Sequence, residues 1–378
     1  LSRLCLGIDA SRSFGAQRTG TEHYATEITR RILSSGRYDC RLYFREAPRE
    51  APPGGAEAHI LPARRLWTHR RLAAELRRRP PDLLFVPAHV LPIGCKVPAV
   101  VTVHDLGYEF YPRSHPLSRL AYLRWSTRRH AHLAAGILVD AGPTRDALVA
   151  RYGADPERID VVHLAADPDF APAAPEAIAA LRHQLSLPES APYLLHVGTI
   201  QPRKNLERLL RAFAQLLAIE PELRLILAGA IGWGAAADRL REEAHALGIG
   251  DRLLLPGYLP RDQLPVLYSG ATALVLPSLY EGFGLPMVEA MACGTAVACS
   301  EGSCLTEVAG EAALLFDPLD EAAIAEALRR MMVDTPLRRG LEAAGLARAA
   351  EFSWDRAAEE TMRVLDRVGG AADSAARK

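Results

Sequence analysis

The chain has 378 residues, 49% hydrophobic and 24% charged, with 28 Gly and 27 Pro, a length and composition that fit two buried cores and exclude a collagen-like, coiled-coil or disordered chain. Its 45 Lys and Arg balance 45 Asp and Glu, so the whole molecule has no general pull toward nucleic acid. No apolar run approaches the roughly 20 residues of a membrane span, and no basic-then-apolar leader opens the chain, which predicts a cytoplasmic protein.

Strands alternate with helix-length segments along the first half. Leu4–Asp9 reads as a strand, followed by the loop Ala10–Gly20 and a helix over Thr21–Leu33. Further strands are predicted at Arg41–Phe44, Leu83–Val86, Val97–Val103, Ile137–Val139 and Ile159–Val162. Ala171–Ser190, with Pro172, Pro175 and Pro188 around a short helical stretch, reads as a linker. The rhythm then restarts, with strands at Tyr193–Val197, Leu223–Ala228, Arg252–Leu255, Ala273–Leu276 and Ala296–Cys299 separated by helices. The last amphipathic helix is Trp354–Val368, and Gly369–Lys378 reads as a frayed tail. Such alternation predicts an α/β protein of two Rossmann-like, doubly wound domains with strand C-terminal ends facing a central cleft.

The balanced charge hides a split. Residues 1–185 hold 26 Lys and Arg against 19 Asp and Glu, and residues 186–378 hold 19 against 26. Opposed halves suggest domains that meet different partners, or each other. The six cysteines are scattered without any Cys-x-x-Cys pair and read as reduced, buried thiols.

Two strings carry chemistry. In Pro277–Gly294, a strand end runs into Glu281-Gly-Phe-Gly-Leu-Pro and then a helix, with Pro286 suited to its first turn. Gly282 and Gly284 let backbone amides approach a ligand, and Glu281 and Glu289, eight positions apart, can accept hydrogen bonds from a sugar and a ribose. In His196–Asn205, a strand closing at Gly198 leads through a proline turn that brings Arg203 and Lys204 to a helix start, a site suited to a diphosphate without a metal. These readings place carboxylates on one side of a narrow gap and the two cations opposite.

These residues resemble the retaining, nucleotide-sugar-dependent glycosyltransferases of the GT-B fold, the group called glycosyltransferase family 4 or glycosyl transferases group 1. Glu281 to Glu289 matches that family's Glu-x7-Glu signature, and Pro202-Arg203-Lys204-Asn205 its phosphate-binding turn. The string Gly257–Ser278 and the closing Phe352–Leu365 also match, so the resemblance spans most of residues 190–368. The first half matches more loosely, at Gly7–Ala10, Arg18–Ile28 and Val101–Leu106. The resemblance implies that Glu281 holds donor-sugar hydroxyls with help from the amides of Phe283 and Gly284, in a loop completed by Gly282 and Leu285. It implies that Glu289 binds the ribose, that Arg203 and Lys204, beside Gly198, neutralise the leaving diphosphate, and that Tyr258 lies in the loop passing the base. From the first domain, the Gly20-Thr21 loop approaches the phosphates or sugar, and His104 lies under the sugar near the acceptor. The competing reading of His104 is a structural residue capping a strand end. Thr199 departs from the family, in which Arg often follows the glycine, and shifts more of the phosphate charge to Arg203 and Lys204.

The implied reaction is hexose transfer with retained configuration, GDP-mannose being the first choice of donor and a glycan or polyprenyl-linked glycan the acceptor. No cofactor and no metal are called for, and no nucleic acid is a partner. The expected domains are 1–185 for the acceptor, 186–355 for the donor, and 356–378 as a helix crossing back to the first domain plus a tail. A sugar-nucleotide epimerase or phosphorylase, or a noncatalytic sugar-nucleotide binder, are the competing readings.

Other signals are weaker. Asp167-Pro168-Asp169 has the spacing of a metal-binding Asp-x-Asp but reads as a turn. Gly232-Trp233-Gly234 mimics part of a dinucleotide fingerprint, without an acidic residue closing the next strand. Arg64–Arg79, with seven arginines, and Arg113–His132, with five, interleave Leu, Trp and Tyr with positive charge. They read either as basic amphipathic helices on an anionic membrane or as ordinary helices with a solvated face.

Overall fold

A computed structural model describes residues 3–15, 19–88, 90–112, 116–230 and 236–376. Two compact units emerge, Leu1–Leu164 with Trp354–Lys378, and Ala165–Ser353.

The first unit contains β1 (Cys5–Asp9), β2 (Asp39–Phe44), β3 (Glu57–Ile60), β4 (Leu83–Val86), β5 (Ala99–Val103), β6 (Gly136–Val139) and β7 (Ile159–Val161). They form a parallel sheet in the order β3-β2-β1-β4-β5-β6-β7. Between them run α1 (Gly20–Ser35), α2 (Ala73–Arg78), α3 (Gly107–Phe110), α4 (Leu117–Leu133) and α5 (Gly142–Tyr152). β4, β5 and β6 are buried along their whole length, which is why they read as unbroken apolar runs. α1 starts where the Thr19 backbone N–H donates to Glu22 Oε2 at 3.1 Å, and it buries Tyr24, Ile28 and Ile32 against the sheet. The edge strand β3, Glu-Ala-His-Ile, is too short and polar to announce itself in the sequence.

The second unit repeats the plan. Strands β8 (Tyr193–Val197), β9 (Arg224–Ala228), β10 (Leu253–Gly257), β11 (Ala273–Leu276), β12 (Val297–Ser300) and β13 (Leu314–Phe316) form a parallel sheet in the order β10-β9-β8-β11-β12-β13. The helices are α6 (Pro175–Gln184), α7 (Leu206–Leu216), α8 (Ala236–Ala246), α9 (Leu264–Ser269), α10 (Leu285–Ala292), α11 (Leu305–Ala309), α12 (Glu321–Val333) and α13 (Thr335–Ala349). α7 buries Leu206, Leu209, Leu210, Phe213 and Leu216, each contributing about 1.5–3 kcal/mol by removal from water.

The boundary between the units and the end of the last helix differ from the sequence expectation, while the return of that helix to the first unit agrees with it. The chain leaves the first unit after Leu164 rather than at residue 185, because α6, in the expected linker, packs on the second unit with Ile178 against Gly270. The final helix, α14 (Trp354–Ala376), belongs to the first unit: Tyr38 donates to Asp366 Oδ1 at 2.6 Å, and the Trp354 ring lies 5.5 Å from His23. It continues to Ala376 through the tail expected to fray. The six cysteines are thiols outside any disulfide; Cys293, Cys299 and Cys304 are buried, and Cys5, Cys40 and Cys95 only partly. No described helix is long and apolar enough to cross a membrane.

Candidate functional site

In a doubly wound sheet the ligand crevice opens at the C-terminal strand ends where strand order reverses. In the second unit that point lies between β8 and β11. The basic string follows β8 and the acidic string follows β11, so topology alone brings residues 77 apart in sequence together.

Uncharged hydrogen bonds join the two turns before any charge is considered. The Leu279 N–H donates to the Arg203 carbonyl at 2.9 Å, and Asn205 Nδ2 donates to the carbonyls of Pro277 at 3.0 Å and Pro318 at 2.7 Å. Asn205 sits in the left-handed region, φ 58°, and so turns the chain sharply into α7.

Glu281 is the centre of this junction. Its Oε1 accepts from Lys204 Nζ at 2.5 Å and from Ser278 Oγ at 2.6 Å, while Oε2 accepts from Arg203 Nη1 at 3.0 Å. Arg203 Nη1 also donates to the Tyr280 carbonyl at 2.6 Å. Burial by itself raises the Glu281 pKa, yet the charges of Lys204 and Arg203 and the hydrogen bonds hold it well below the usual carboxylate range. Glu281 is therefore ionised, and with two cations the cluster carries one surplus positive charge. The sequence expectation of acid and base facing each other across a gap is corrected here: they are in direct contact.

Glycines shape the surrounding backbone. Gly229 follows β9 at φ 147°, and a Cβ there would lie 2.1 Å from the Gly198 carbonyl oxygen, so no side chain fits. Gly198, at the end of β8, lies beside the Lys204 ammonium, 3.4 Å from its own would-be Cβ. Gly284, φ 89°, caps α10, and a Cβ there would lie 2.5 Å from Leu305 Cδ2. Phe283 is buried edge-on to Phe352, 5.9 Å between ring centres, Leu285 is buried in the first turn of α10, and Gly282 is buried between Glu281 and Phe283. Tyr258 follows β10 and is 46% exposed, available for stacking.

Glu289 belongs to a second cluster. Its Oε2 accepts from the Tyr268 hydroxyl at 2.9 Å, and its Oε1 lies 2.9 Å from Arg261 Nη1. Burial and the Glu289 charge push the Tyr268 phenol well up, so it remains a donor. Arg261 Nε donates to Asp167 Oδ2 at 2.7 Å, and its guanidinium lies 4.7 Å from the centre of the Phe170 ring. Asp167 is thus a partner of arginine, while Asp169 is exposed.

In the first unit, Gly20 and Thr21 form the first turn of α1 rather than a loop. One turn on, the Tyr24 ring meets the His104 ring edge-on at 4.8 Å. His104 follows β5, with Nδ1 2.8 Å from Asp140 Oδ2 and Nε2 2.9 Å from the Pro87 carbonyl. Gly232, Trp233 and Gly234 lie outside the described residues, as does Arg113. Among the described residues no group of three or more His, Cys, Asp or Glu could hold a metal.

Sequence reasoning missed Ser278, Tyr268, Arg261, Gly229 and Asp140. Gly229, immediately past an apolar strand, and Ser278, two residues past one, carry a usable signal, a small residue at a strand end. The roles of Tyr268, Arg261 and Asp140 depend on contacts that no local spacing encodes.

Comparison with known proteins is consistent with this geometry. Residues 178–348 match the family model "Glycosyl transferases group 1", and residues 18–170 match "Glycosyltransferase Family 4". The chain is 35% identical to the O-antigen chain mannosyltransferase B of Escherichia coli over 80% of its own length and 79% of that protein. It is 29% identical to the D-inositol 3-phosphate glycosyltransferase of Acidothermus cellulolyticus over 91% and 85% of the two chains. Among solved structures, a sucrose-phosphate synthase from Thermosynechococcus elongatus superposes with a TM-score of 0.79 at 23% identity, covering 98% of this chain and 100% of that one. The Anabaena protein Alr3699/HepE in complex with UDP and glucose superposes with a TM-score of 0.77 at 18% identity, covering 97% and 100%.

Proposed function

The chain belongs to glycosyltransferase family 4 and is a nucleotide-sugar-dependent glycosyltransferase of the GT-B fold, and from that premise we propose that it transfers mannose from GDP-mannose with retained anomeric configuration. The acceptor in this reading is a glycan or a polyprenyl-linked glycan of surface polysaccharide assembly. The observation that carries it is the buried Glu281 carboxylate held ionised by Arg203 and Lys204 at the switch point of the second sheet.

The surplus positive charge of that cluster attracts a diphosphate. As phosphate oxygens take over the N–H donors of Arg203 and Lys204, Glu281 is released toward the hydroxyls of the donor sugar. The two cations then stabilise the charge that accumulates on the leaving diphosphate, an electrostatic contribution that requires no metal. Glu289, fixed by Arg261 and Tyr268, accepts from the ribose. The departing phosphate oxygen takes the proton of the incoming hydroxyl. Similarity to a mannosyltransferase that builds O-antigen chains supports the choice of sugar. Thermal-shift screening against GDP, UDP, ADP and TDP sugars tests it: selective stabilisation by GDP-mannose is expected, and selective stabilisation by another nucleotide sugar reassigns the donor.

The same reading places the first unit against an anionic membrane at the cytoplasmic face. The Arg64–Arg79 segment forms a wide turn, Thr68–Leu72, and the short α2 instead of one long helix. Its His69 ring lies 5.7 Å from Trp125 and 6.1 Å from Tyr122 on α4, so the two basic strings meet. Leu117, Tyr122, Trp125 and Leu133 of α4 are exposed among arginines, so apolar and positive groups are both available to an anionic surface. Sedimentation with phosphatidylglycerol vesicles but not with phosphatidylcholine vesicles is the expected result.

A further inference from the structure

The β5–β6 register pairs Thr102 with Leu138 and Val103 with Val139, so the next residues, His104 and Asp140, emerge side by side at the strand ends. The His104 ring then faces two acceptors, Asp140 Oδ2 at 2.8 Å from Nδ1 and the Pro87 carbonyl oxygen at 2.9 Å from Nε2. A carbonyl oxygen only accepts, so Nε2 carries a proton. With Asp140 ionised, its carboxylate only accepts as well, and Nδ1 then carries the other. Such a ring has no lone pair left with which to take a proton.

Asp140 is 3% exposed, and its Oδ1 has no hydrogen-bond partner among the described residues. A buried carboxylate with one oxygen unsatisfied depends on its remaining partner, which makes the His104 bond costly to lose. We propose that Asp140 is a positioning residue that keeps His104 doubly protonated and fixed in orientation through neutral pH, so that His104 serves the reaction as a fixed cation and not as a general base. This rests on the glycosyltransferase reading above and adds to it the charge state of one group.

The other groups around the pair are consistent with this state. Burial disfavours the imidazolium, but the charge of Asp140, its hydrogen bond, the Pro87 carbonyl and the charge of Asp105 together raise the His104 pKa above its ordinary value. Tyr24 of α1, edge-on at 4.8 Å, stays neutral because burial and Asp140 push its phenol up, and it bonds Thr102 Oγ1 at 3.0 Å. Burial raises the Asp140 carboxyl, while the charge of His104, the hydrogen bond between them and His163, past β7, act against that rise, so the pair stands on its 2.8 Å contact. The part of the His104 ring that stays accessible offers polarised C–H groups to a ligand oxygen.

The test is a pH titration of the full chain by NMR with labelled histidine, the His104 signal being assigned by its absence from His104→Gln. In the wild type His104 is expected to titrate above the ordinary value of about 6.5. Asp140→Asn is expected to lower its protonation constant by about tenfold or more, and Asp140→Glu to restore part of it. The alkaline limb of kcat/KM for GDP-mannose turnover should move down in parallel in Asp140→Asn, a shift that a purely structural role would not produce. Wild-type His104 titrating at or below the ordinary value overturns the proposal even if Asp140→Asn fails to fold, as does an unmoved titration in a folded Asp140→Asn. A raised His104 titration in a protein that turns over no nucleotide sugar would fail the functional reading while upholding the Asp140 assignment.

Discussion

Arg261 holds Glu289 from one side and Asp167 from the other, with Nη1 2.9 Å from Glu289 Oε1 and Nε 2.7 Å from Asp167 Oδ2. The chain enters the second unit only at Ala165, so this arginine ties the entry segment to the carboxylate proposed to bind the ribose. Arg261→Ala leaves both carboxylates without their cation in a largely buried setting. We expect KM for the donor to rise by about tenfold with a smaller change in kcat, equivalent to roughly 1.4 kcal/mol of binding. Steady-state kinetics with Arg261→Lys alongside checks this; equal losses of kcat in both variants would argue against a role in binding.

In the proposed reaction Glu281 and the diphosphate compete for the same two cations, which Glu281 holds in this structure. Glu281→Gln keeps the shape, removes the negative charge and replaces one of the two acceptor oxygens with an N–H donor. Turnover should drop by at least about tenfold, a loss above ~1.4 kcal/mol, while calorimetric affinity for GDP holds or tightens. Weaker GDP binding in this variant would contradict the competition.

Arg203→Ala combined with Lys204→Ala should weaken nucleoside diphosphate binding. Removing both cations also strands the buried Glu281 carboxylate, an expected stability loss of about 3 kcal/mol. Chemical denaturation separates this stability loss from the binding defect. Unchanged GDP affinity in the double variant, measured while it remains folded, would count against the anion site.

Stability should fall as the solution is acidified, from two buried histidines, one in each unit. Burial, with Arg129 nearby, pushes His130 down to about 4, and its Nε2 accepts from the Leu91 N–H at 3.1 Å, which requires the neutral ring. Burial, with Lys204 nearby, pushes His196 down to about 4, and its Nδ1 donates to the Val275 carbonyl at 2.9 Å. A folded pKa below the unfolded value means stability that is complete above about pH 6.5 and is lost as pH falls toward 4, about 3 kcal/mol for each residue. The depressed Glu281 pKa acts with the same sign at lower pH, below the ordinary carboxylate value of 4.5. Tm measured from pH 7 to 4 should decline, and His196→Gln should decline less steeply; a flat wild-type profile would refute this.

Chelation should leave transfer intact. Asp167 is engaged by Arg261, and Arg203 and Lys204 already supply positive charge where a metal would act. Activity abolished by EDTA and restored by a divalent ion would reopen Asp167 and Asp169 as ligands.

Much of the architecture is legible in one dimension because parallel strands buried on both faces leave unmistakable apolar runs, such as Leu83–Val86 and Ala273–Leu276. The polar edge strand β3 leaves none, and β13, Leu-Leu-Phe at the other edge, is too short to stand out. The acidic and basic strings were legible too, since glycine, proline and charge must sit at fixed offsets where a strand turns into a helix. The position of α6 was not, because a short helix flanked by prolines looks the same whether it packs or spans.

Local chemistry in the sequence by itself determined two tandem parallel-sheet units, the Glu281 loop, the Arg203-Lys204 turn and membership of a sugar-transferring family. Only the tertiary structure decided which charges touch: Lys204 with Glu281, Arg261 with Glu289 and Asp167, His104 with Asp140. The reason is physical. Backbone preference and hydrophobic period act over a few residues and can be read locally. Ion pairing across strand ends depends on the order of strands in the sheet, which brings together residues dozens of positions apart and thereby sets their protonation.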